Sequence, residues 1–403
     1  MLSSINDILS AVEKLEGLLV ELARRSMQTP SLSGEEGKYA DLLLGYMRDL
    51  GYDVVYKDHV GNVVGELYGT EDQPAIMFNT HLDHVDPGSL ELWRFDPYSG
   101  EIADGKLYGR GAADTKGATA AMIIAGAAVA KAGVKLQRSF LMTSVVMEEM
   151  GECLGMRHLM LETLKERQIQ CIVSGEATSL NIAIGHRGRA ELEISTRGKT
   201  AHASAPWRGV NAVYKMAPIL LELEKAAEQL PEHPFLGKAT MTVTNIYCKP
   251  GKYSIIPDQC TIYLDRRLIP GESLQQVVLA LQQLLQKNGL KAEVRPREVE
   301  EQTYTGYREK AVKYMPPLYI DPQHSLVQTA RKAVESSINY APEIIKWDFA
   351  TDLGWAAEHF KIPSIGFSPC EEHLAHTENE YIRLDYLKAA AKAYAALIVA
   401  LCC

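Results

Sequence analysis

Apolar runs of strand length alternate with helical segments in this chain, and this alternation restricts its fold more than any other feature. Strand-like runs lie at 63–64, 76–78, 140–146 and 171–173, and the clearest helical segment is the alanine-rich stretch Ala118–Lys131. Such alternation is typical of a mostly parallel sheet covered by helices on both faces. The sequence therefore predicts an α/β domain.

Two helices are predicted before the first of these strands. Apolar residues recur on one face from Ile5 to Arg25, which indicates a single long helix. Ser33 is followed three residues later by Glu36, the pattern of a capping box at the start of a second helix. Gly51 would end that helix, because glycine readily adopts the left-handed conformation found just after helices.

After Gly188 the order of elements changes to strand, helix, strand, strand, helix, strand. The predicted strands are 190–196, 240–247, 260–268 and 291–294, and the predicted helices are 210–229 and 274–287. This order is that of a ferredoxin-like unit, an antiparallel sheet with both helices on one face. The α/β alternation then resumes with a helix and a strand, at 325–336 and 362–367. We therefore predict a catalytic domain of residues 1–187 and 300–403, interrupted by a lid and dimerisation domain at 188–299.

Composition limits the classes of partner. The chain has 403 residues, enough for two domains, and a formal net charge of -9, which argues against nucleic acid as a partner. We expect no membrane span, because no uncharged apolar run reaches about 18 residues. The seven cysteines are scattered, and the N-terminus lacks the basic and apolar regions of a signal peptide. A cytoplasmic protein with free thiols is the expectation.

Histidines and acidic residues stand where the predicted strands and loops would converge. His81 follows one apolar run closely, Asp114 opens a glycine-flanked turn, and Glu149, Glu176 and His376 follow later strand-like runs. Ligands of α/β sheets bind beyond the carboxyl ends of the strands, so these residues can meet in one crevice. Two imidazoles and three carboxylates suit zinc, and also cobalt or manganese. One bridging carboxylate can hold two ions about 3.5–4 Å apart, as in two-metal hydrolases.

The adjacent acids Glu148 and Glu149 suggest a division of labour. Neighbouring side chains on an extended or turning backbone point in different directions, so one can bind metal while the other faces the attacking water as a general base. Asp83 lies two residues after His81 and is predicted to orient that imidazole.

These motifs resemble the zinc-dependent peptidase M20 family, which includes acetylornithine deacetylase and succinyl-diaminopimelate desuccinylase. The resemblance covers essentially the whole chain, including the inserted domain. It implies that one ion is bound by His81, Asp114 and Glu176, and the other by Asp114, Glu149 and His376. The stretches 185–194, 235–238 and 264–267 are most similar to the branch of YgeY-type hydrolases, which is linked by name to selenium metabolism.

The resemblance implies further roles. Glu148 would be the general base, and His202 would reach from the lid into the partner subunit's active site to stabilise the developing oxyanion. Arg267 and Arg187 match positions that hold a substrate carboxylate. Relatives also carry a cis peptide bond at the position of Asp114–Thr115. The resemblance thus implies a homodimer with two divalent metal ions per subunit.

The expected function is hydrolysis of a C–N bond in a small amide or peptide that carries a carboxylate. The substrate could be an N-acyl amino acid, a dipeptide or an N-carbamoyl compound. Two alternatives remain open: a metallophosphatase, and a non-catalytic binding protein on the same fold. The first would usually need more histidine ligands and basic phosphate contacts, and the second would be expected to lack Glu148.

Overall fold

The computed structural model describes residues 5–71 and 73–403. In this part of the chain the α-helices are α1 (Ile5–Lys14), α2 (Glu16–Met27), α3 (Gly37–Asp49), α4 (Gly117–Lys131), α5 (Leu154–His158), α6 (Ala212–Glu228), α7 (Leu274–Lys287), α8 (Ser325–Ile338), α9 (Leu353–Phe360) and α10 (Leu384–Cys402). No helix within these ranges combines the length and the apolar character needed to cross a membrane.

The strands are β1 (Val54–Lys57), β2 (Val63–Leu67), β3 (Ala75–His81), β4 (Ile102–Ala103), β5 (Lys106–Tyr108), β6 (Phe140–Val145), β7 (Ile169–Ser174), β8 (Ile182–His186), β9 (Gly188–Arg197), β10 (Glu232–His233), β11 (Gly237–Lys238), β12 (Thr240–Lys249), β13 (Gln259–Leu268), β14 (Glu293–Pro296), β15 (Glu298–Gln302), β16 (Arg308–Val312), β17 (Tyr314–Met315), β18 (Leu318–Tyr319), β19 (Ile344–Trp347), β20 (Ser364–Gly366) and β21 (Tyr381–Arg383).

A large mixed sheet forms the centre of the catalytic domain. Its order is β1-β2-β6-β3-β7-β20-β8-β18, with β19 also paired to β8. The central strand β3 is parallel to both β6 and β7, and β7 is parallel to β20. Alternate side chains of β3 enter different cores: Ile76 and Phe78 pack with residues of α4 and α10, whereas Met77 packs with residues of α5 and α9. The predicted α/β sheet with helices on both faces is therefore confirmed.

The alanine-rich helix α4 is packed tightly against this sheet. Every residue from 117 to 129 is buried. Small side chains allow close approach, and Gly126 shows how close: a Cβ there would lie 2.3 Å from Tyr52 Oη and 2.8 Å from a ring carbon of Phe140. The turn that carries Asp114 leads directly into α4. The packing of α4 therefore also fixes the position of this turn.

The inserted domain is a separate antiparallel sheet of order β12-β13-β9-β14, with β17 also paired to β9. Its helices α6 and α7 share one core with the sheet. Helix α7 begins after a capping box formed by Ser273 and Gln276. Strand β12 lies at one edge of the sheet. Residues 298–312 form the β15–β16 hairpin, and residues 314–315 pair with the inserted sheet. The domain boundaries at 188 and 299 stay a prediction.

Two predictions near the N-terminus were wrong. The helix expected from Ile5 to Arg25 is divided at Leu15, whose backbone leaves the helical conformation, into α1 and α2. The capping box expected at Ser33 and Glu36 does not form, because both side chains are used elsewhere. Ser33 Oγ donates to Asp83 Oδ2 at 2.7 Å, and Glu36 Oε1 accepts from the backbone N–H of Met147 at 3.2 Å.

Candidate active site

The predicted metal ligands lie at the carboxyl ends of adjacent strands. His81 is the last residue of β3, Glu149 follows β6 and Glu176 follows β7. Because β3 lies between β6 and β7 and is parallel to both, these three ends share one edge of the sheet. Asp114 and His376 reach the same edge from loops before α4 and after β20.

Asp114 is shared between the two histidines. Its Oδ1 lies 2.9 Å from His81 Nε2, and its Oδ2 lies 3.0 Å from His376 Nε2. Glu149 Oε2 is 3.0 Å from the same His376 nitrogen, and Glu176 Oε1 is 3.7 Å from His81 Nε2. The five residues thus form two half-sites with Asp114 between them, the arrangement required of a carboxylate that bridges two ions.

A buried ion pair fixes the turn that carries Asp114. Glu380 Oε1 accepts from the backbone N–H of Ala113 at 2.7 Å, and its Oε2 accepts from that of Gly111 at 3.0 Å. The same Oε2 lies 2.7 Å from Arg110 Nη1. The Asp114–Thr115 peptide bond is cis, as the resemblance implied, and that prediction is confirmed.

Asp83 positions two parts of the site at once. Its backbone oxygen lies 2.9 Å from His81 Nδ1, so Nδ1–H donates there and Nε2, which faces Asp114, is the nitrogen available to a metal ion. Its carboxylate accepts from the backbone N–H groups of Glu148 and Glu149, each at 3.1 Å. Burial opposes ionisation of Asp83, yet its hydrogen bonds and the neighbouring His81 hold its pKa below the ordinary value.

The carboxylates of the site are crowded and buried, which shifts their pKa values. Burial and the neighbouring Glu176 raise the pKa of Glu148 well above its ordinary value, and burial with Asp114 does the same for Glu176. Hydrogen bonds to Asp114 and Glu149 raise the pKa of His376 to about 10. A buried cluster of like charges calls for cations.

The donor set fits that demand. Ligand atoms of His81, Asp114 and Glu149 lie within 4.8 Å of one another, as do those of His81, Glu148 and Glu176. Imidazole nitrogens and carboxylate oxygens at this spacing suit divalent zinc, cobalt or manganese. The described residues therefore include a cluster able to hold metal, and Glu148 is one of its members.

A cavity of about 310 Å³ opens above this cluster and is lined on its other side by Arg189 and Arg267 from the inserted sheet. The two arginines are directly opposite each other on β9 and β13. Both contact Asp265: Arg267 Nε lies 2.8 Å from Oδ1, and Arg189 Nε lies 3.4 Å from Oδ2. The cavity thus joins an acidic floor to a pair of guanidinium groups.

The structure does not bring the other predicted residues to this cavity. Arg187 donates through Nη1 to the backbone oxygen of Lys238 at 3.0 Å. His202 is on the lid, where its Nδ1 accepts from the backbone N–H of Ser204 at 3.1 Å. Among the described residues, neither side chain lines the cavity of its own chain.

Sequence reasoning missed Arg189, Glu380 and the active-site roles of Ser33 and Glu36. The signal for Arg189 lay in strand pairing, because a residue opposite Arg267 must project from the same face of the sheet. No local pattern marks Glu380, since its partners, Arg110 and two backbone N–H groups, belong to a distant turn.

The fold and the ligand cluster define a metal-dependent hydrolase. The model of the family described as "Peptidase family M20/M25/M40" matches residues 77–400. The chain belongs to this family, and it is a metallo-hydrolase of amide or peptide bonds.

Two curated relatives align with this chain over nearly their whole length. The protein YgeY of Escherichia coli strain K12 is 31% identical over 97% of this chain and 96% of its own. N-formyl-4-amino-5-aminomethyl-2-methylpyrimidine deformylase of Bacillus subtilis is 26% identical over 97% and 96%. Among solved structures, Bacillus subtilis YxeP, described as a dinuclear metal-binding peptidase, has a TM-score of 0.71 at 16% identity over 97% of this chain and 99% of its own. At that identity the likeness shows the fold.

Proposed function

We propose that this protein is a two-metal hydrolase that cleaves a C–N bond in a small carboxylate-bearing amide: an N-acyl amino acid, an N-carbamoyl compound or a dipeptide. The observation that carries the proposal is the division of the Asp114 carboxylate between His81 and His376. Amide hydrolysis by the deformylase relative and by the succinyl-diaminopimelate desuccinylase of Stenotrophomonas maltophilia, 25% identical over 94% of this chain and 98% of its own, supports the bond type. The family match favours this bond over a phosphoester.

Two ions, most simply zinc, would be held by five residues, with Asp114 as their common ligand. One would be bound by His81, Asp114 and Glu176, and the other by Asp114, Glu149 and His376. When bound, such ions lower the pKa of a coordinated water and polarise a carbonyl oxygen. The hydrogen bond from His81 Nδ1 to the Asp83 backbone oxygen keeps Nε2 directed to this task.

Glu148 is proposed as the general base. It is buried, and its backbone is held by Asp83 next to the ligand Glu149. In the proposed sequence its carboxylate takes a proton from the attacking water and returns it to the leaving nitrogen after the tetrahedral intermediate forms. Its proximity to the ligand atoms supports this role.

Arg267 is proposed to hold the substrate's carboxylate. Its Nε and Nη2 contact Asp265. The side chain borders the cavity on the side opposite the proposed metal ligands. A planar guanidinium is suited to bidentate recognition of a carboxylate. Arg187 does not line the cavity, which favours Arg267 as the main contact to the substrate's carboxylate.

A homodimer through the inserted domain is proposed to complete the site with His202. Strand β12 has a free edge, and exposed apolar side chains lie on the same domain, among them Trp207, Tyr214 and Tyr253. An open edge beside apolar surface favours pairing with a second copy. The exposed His202 would then serve the neighbouring chain.

All seven cysteines are free thiols, which supports a reducing, cytoplasmic location.

The test is the Glu148→Ala variant, with the exposed Glu166→Ala as its control. Activity is measured on N-acyl, N-carbamoyl and dipeptide substrates with zinc, cobalt or manganese. We expect Glu148→Ala to lose about 10²–10⁴-fold or more in kcat while it keeps both ions by metal analysis. Loss of both ions would instead make Glu148 a ligand, and turnover of a generic phosphoester alone would overturn the bond type.

A further inference from the structure

The segment that carries the proposed base, residues 147–153, has an unusual backbone, and we call it the base loop. Met147, Gly151 and Cys153 have φ values of +59°, +81° and +56°. Non-glycine residues adopt such values only where their surroundings hold them. On the catalytic side those surroundings are the carboxylates of Glu36 and Asp83, which accept from the loop's first N–H groups.

On its other side the base loop is held by Lys313. The Lys313 ammonium donates to the backbone oxygen of Met150 and forms a close ion pair with Glu152. Lys313 is 8% exposed and Glu152 is 2% exposed, so both charges are withdrawn from water. Glu301, 3.7 Å from the same ammonium, is a second buried carboxylate beside it.

The backbone of Lys313 is part of the inserted sheet's hydrogen-bond network. Its N–H donates to the Arg297 oxygen at 3.0 Å, and its oxygen accepts from the Glu191 N–H at 3.0 Å. The next residue, Tyr314, pairs with Ala190 of β9. One lysine side chain therefore connects the sheet of the inserted domain to the loop that carries Glu148.

Arg189 makes a second contact between the same two parts. A Cβ placed on Gly151 would lie 3.2 Å from Arg189 Nη1, so the guanidinium rests against the base loop. Arg189 also borders the substrate cavity. The loop thus touches the inserted domain at two points, Lys313 and Arg189, and the second of these borders the cavity.

We propose that Lys313 is a positioning residue for catalysis: it ties the base loop to the inserted domain, so that the placement of the lid sets the placement of Glu148. This rests on the proposed role of Glu148 as the general base. A buried ion pair adds little net stability, so retention of this one is better explained by the geometry it imposes. Movement of the lid would move the loop through the Lys313 side chain.

The variant Lys313→Met removes the ammonium group and keeps a long, unbranched side chain. Lys310→Met is the matched control, because Lys310 is exposed on β16, three residues before Lys313. Amide hydrogen exchange and metal content are measured first, without substrate. We expect exchange of the base-loop amides to rise at least about tenfold, with amides of α4 unchanged and both ions retained. Hydrogen exchange and metal content do not depend on the proposed activity. A failure of the proposed function would therefore leave these two results unchanged.

Kinetics then separate positioning from folding. We expect Lys313→Met to lower kcat by about 10²-fold, because a displacement of roughly 1 Å costs that much, while KM stays within about threefold. Lys313→Arg should restore most of kcat, since a guanidinium can also reach Met150 and Glu152. If Lys313→Met does not fold, the double variant Lys313→Met with Glu152→Gln removes the unpaired charge. Wild-type kcat in either folded variant, or exchange that rises equally throughout the protein, would overturn the proposal.

Discussion

The variant Glu380→Gln tests how strongly the Asp114 turn depends on its buried ion pair. Glu380 is fully buried and accepts from Gly111 N, Ala113 N and Arg110 Nη1, and Arg110 is 2% exposed. Glutamine keeps the shape of the side chain. It leaves the guanidinium without a counter-charge and turns an NH₂ group towards a backbone N–H.

The magnitude follows from these contacts. Breaking a buried ion pair by neutralising one partner costs about 3–5 kcal/mol. At about 2 °C per kcal/mol, the scale for large domains, Tm should fall by about 6–10 °C. Burial raises the pKa of Glu380 to about 7 despite Arg110. Because this pKa lies above the ordinary value of 4.5, the folded state binds the proton more tightly than the unfolded chain, and wild-type stability falls as the pH rises from about 4.5 to 7. The difference from Gln should therefore be larger at about pH 5.5 than at about pH 8.5.

The assay is calorimetry of the metal-free protein at about pH 8.5 and pH 5.5, on either side of the folded-state pKa. The control is Asp385→Asn, which breaks the ion pair with Arg383. The side chain of Asp385 is 64% exposed and that of Arg383 is 38% exposed. An exposed pair contributes about 0–1 kcal/mol, so Tm should change by less than about 2 °C. Equal Tm values for the two variants at the lower pH would refute the argument that the pair stabilises the turn.

Three further predictions concern pH, specificity and assembly. Burial lowers the pKa of His186 to about 4, so the unfolded chain binds a proton first as the pH falls. Stability should drop by about 1.4 kcal/mol per pH unit from about 6.5 towards 4, and urea titrations of His186→Gln should lack this part of the slope. Arg189→Met should raise KM for a carboxylate substrate about tenfold, whereas Arg295→Met, exposed on a neighbouring strand, should not; equal KM values would exclude Arg189 from the anion site. A randomly exchanged equal mixture of His202→Ala and Glu148→Ala chains should recover about a quarter of wild-type activity, because half of its dimers are mixed and each of those has one working site of two; no recovery in proven mixed dimers would mean that His202 does not serve the neighbouring chain.

Much of the fold was predictable because its signals are local. The predicted α7, at residues 274–287, coincides with the observed helix, and the central strands differ from their predicted bounds by a few residues. The proximity of the five candidate ligands was predictable in the same way, since acids and histidines follow buried strands whose ends must meet. The failure of the predicted capping box involved competition for side chains. Ser33 and Glu36 have the pattern of a helix cap, but the base loop and Asp83 use them instead.

Other parts of the site could not be predicted because they depend on contacts between distant segments. Arg189 required the register of β9 on β13. Lys313 and Glu380 act on backbone groups 163 and 267 or more residues away along the chain. A backbone oxygen or N–H is present at every position, so its future partner leaves no trace in the residue pattern.

The double attachment at Asp83 has a consequence for anyone who tries to tune this enzyme. The backbone of this residue fixes the orientation of the His81 imidazole, and its side chain fixes the start of the base loop. The carboxylate itself lies 3.6 Å from His81 Nδ1 and also accepts from the Glu148 N–H, so its loss is expected to change both metal affinity and turnover. In a library of substitutions at Asp83, the two should decline together, and selection for a different metal would carry a change of rate with it.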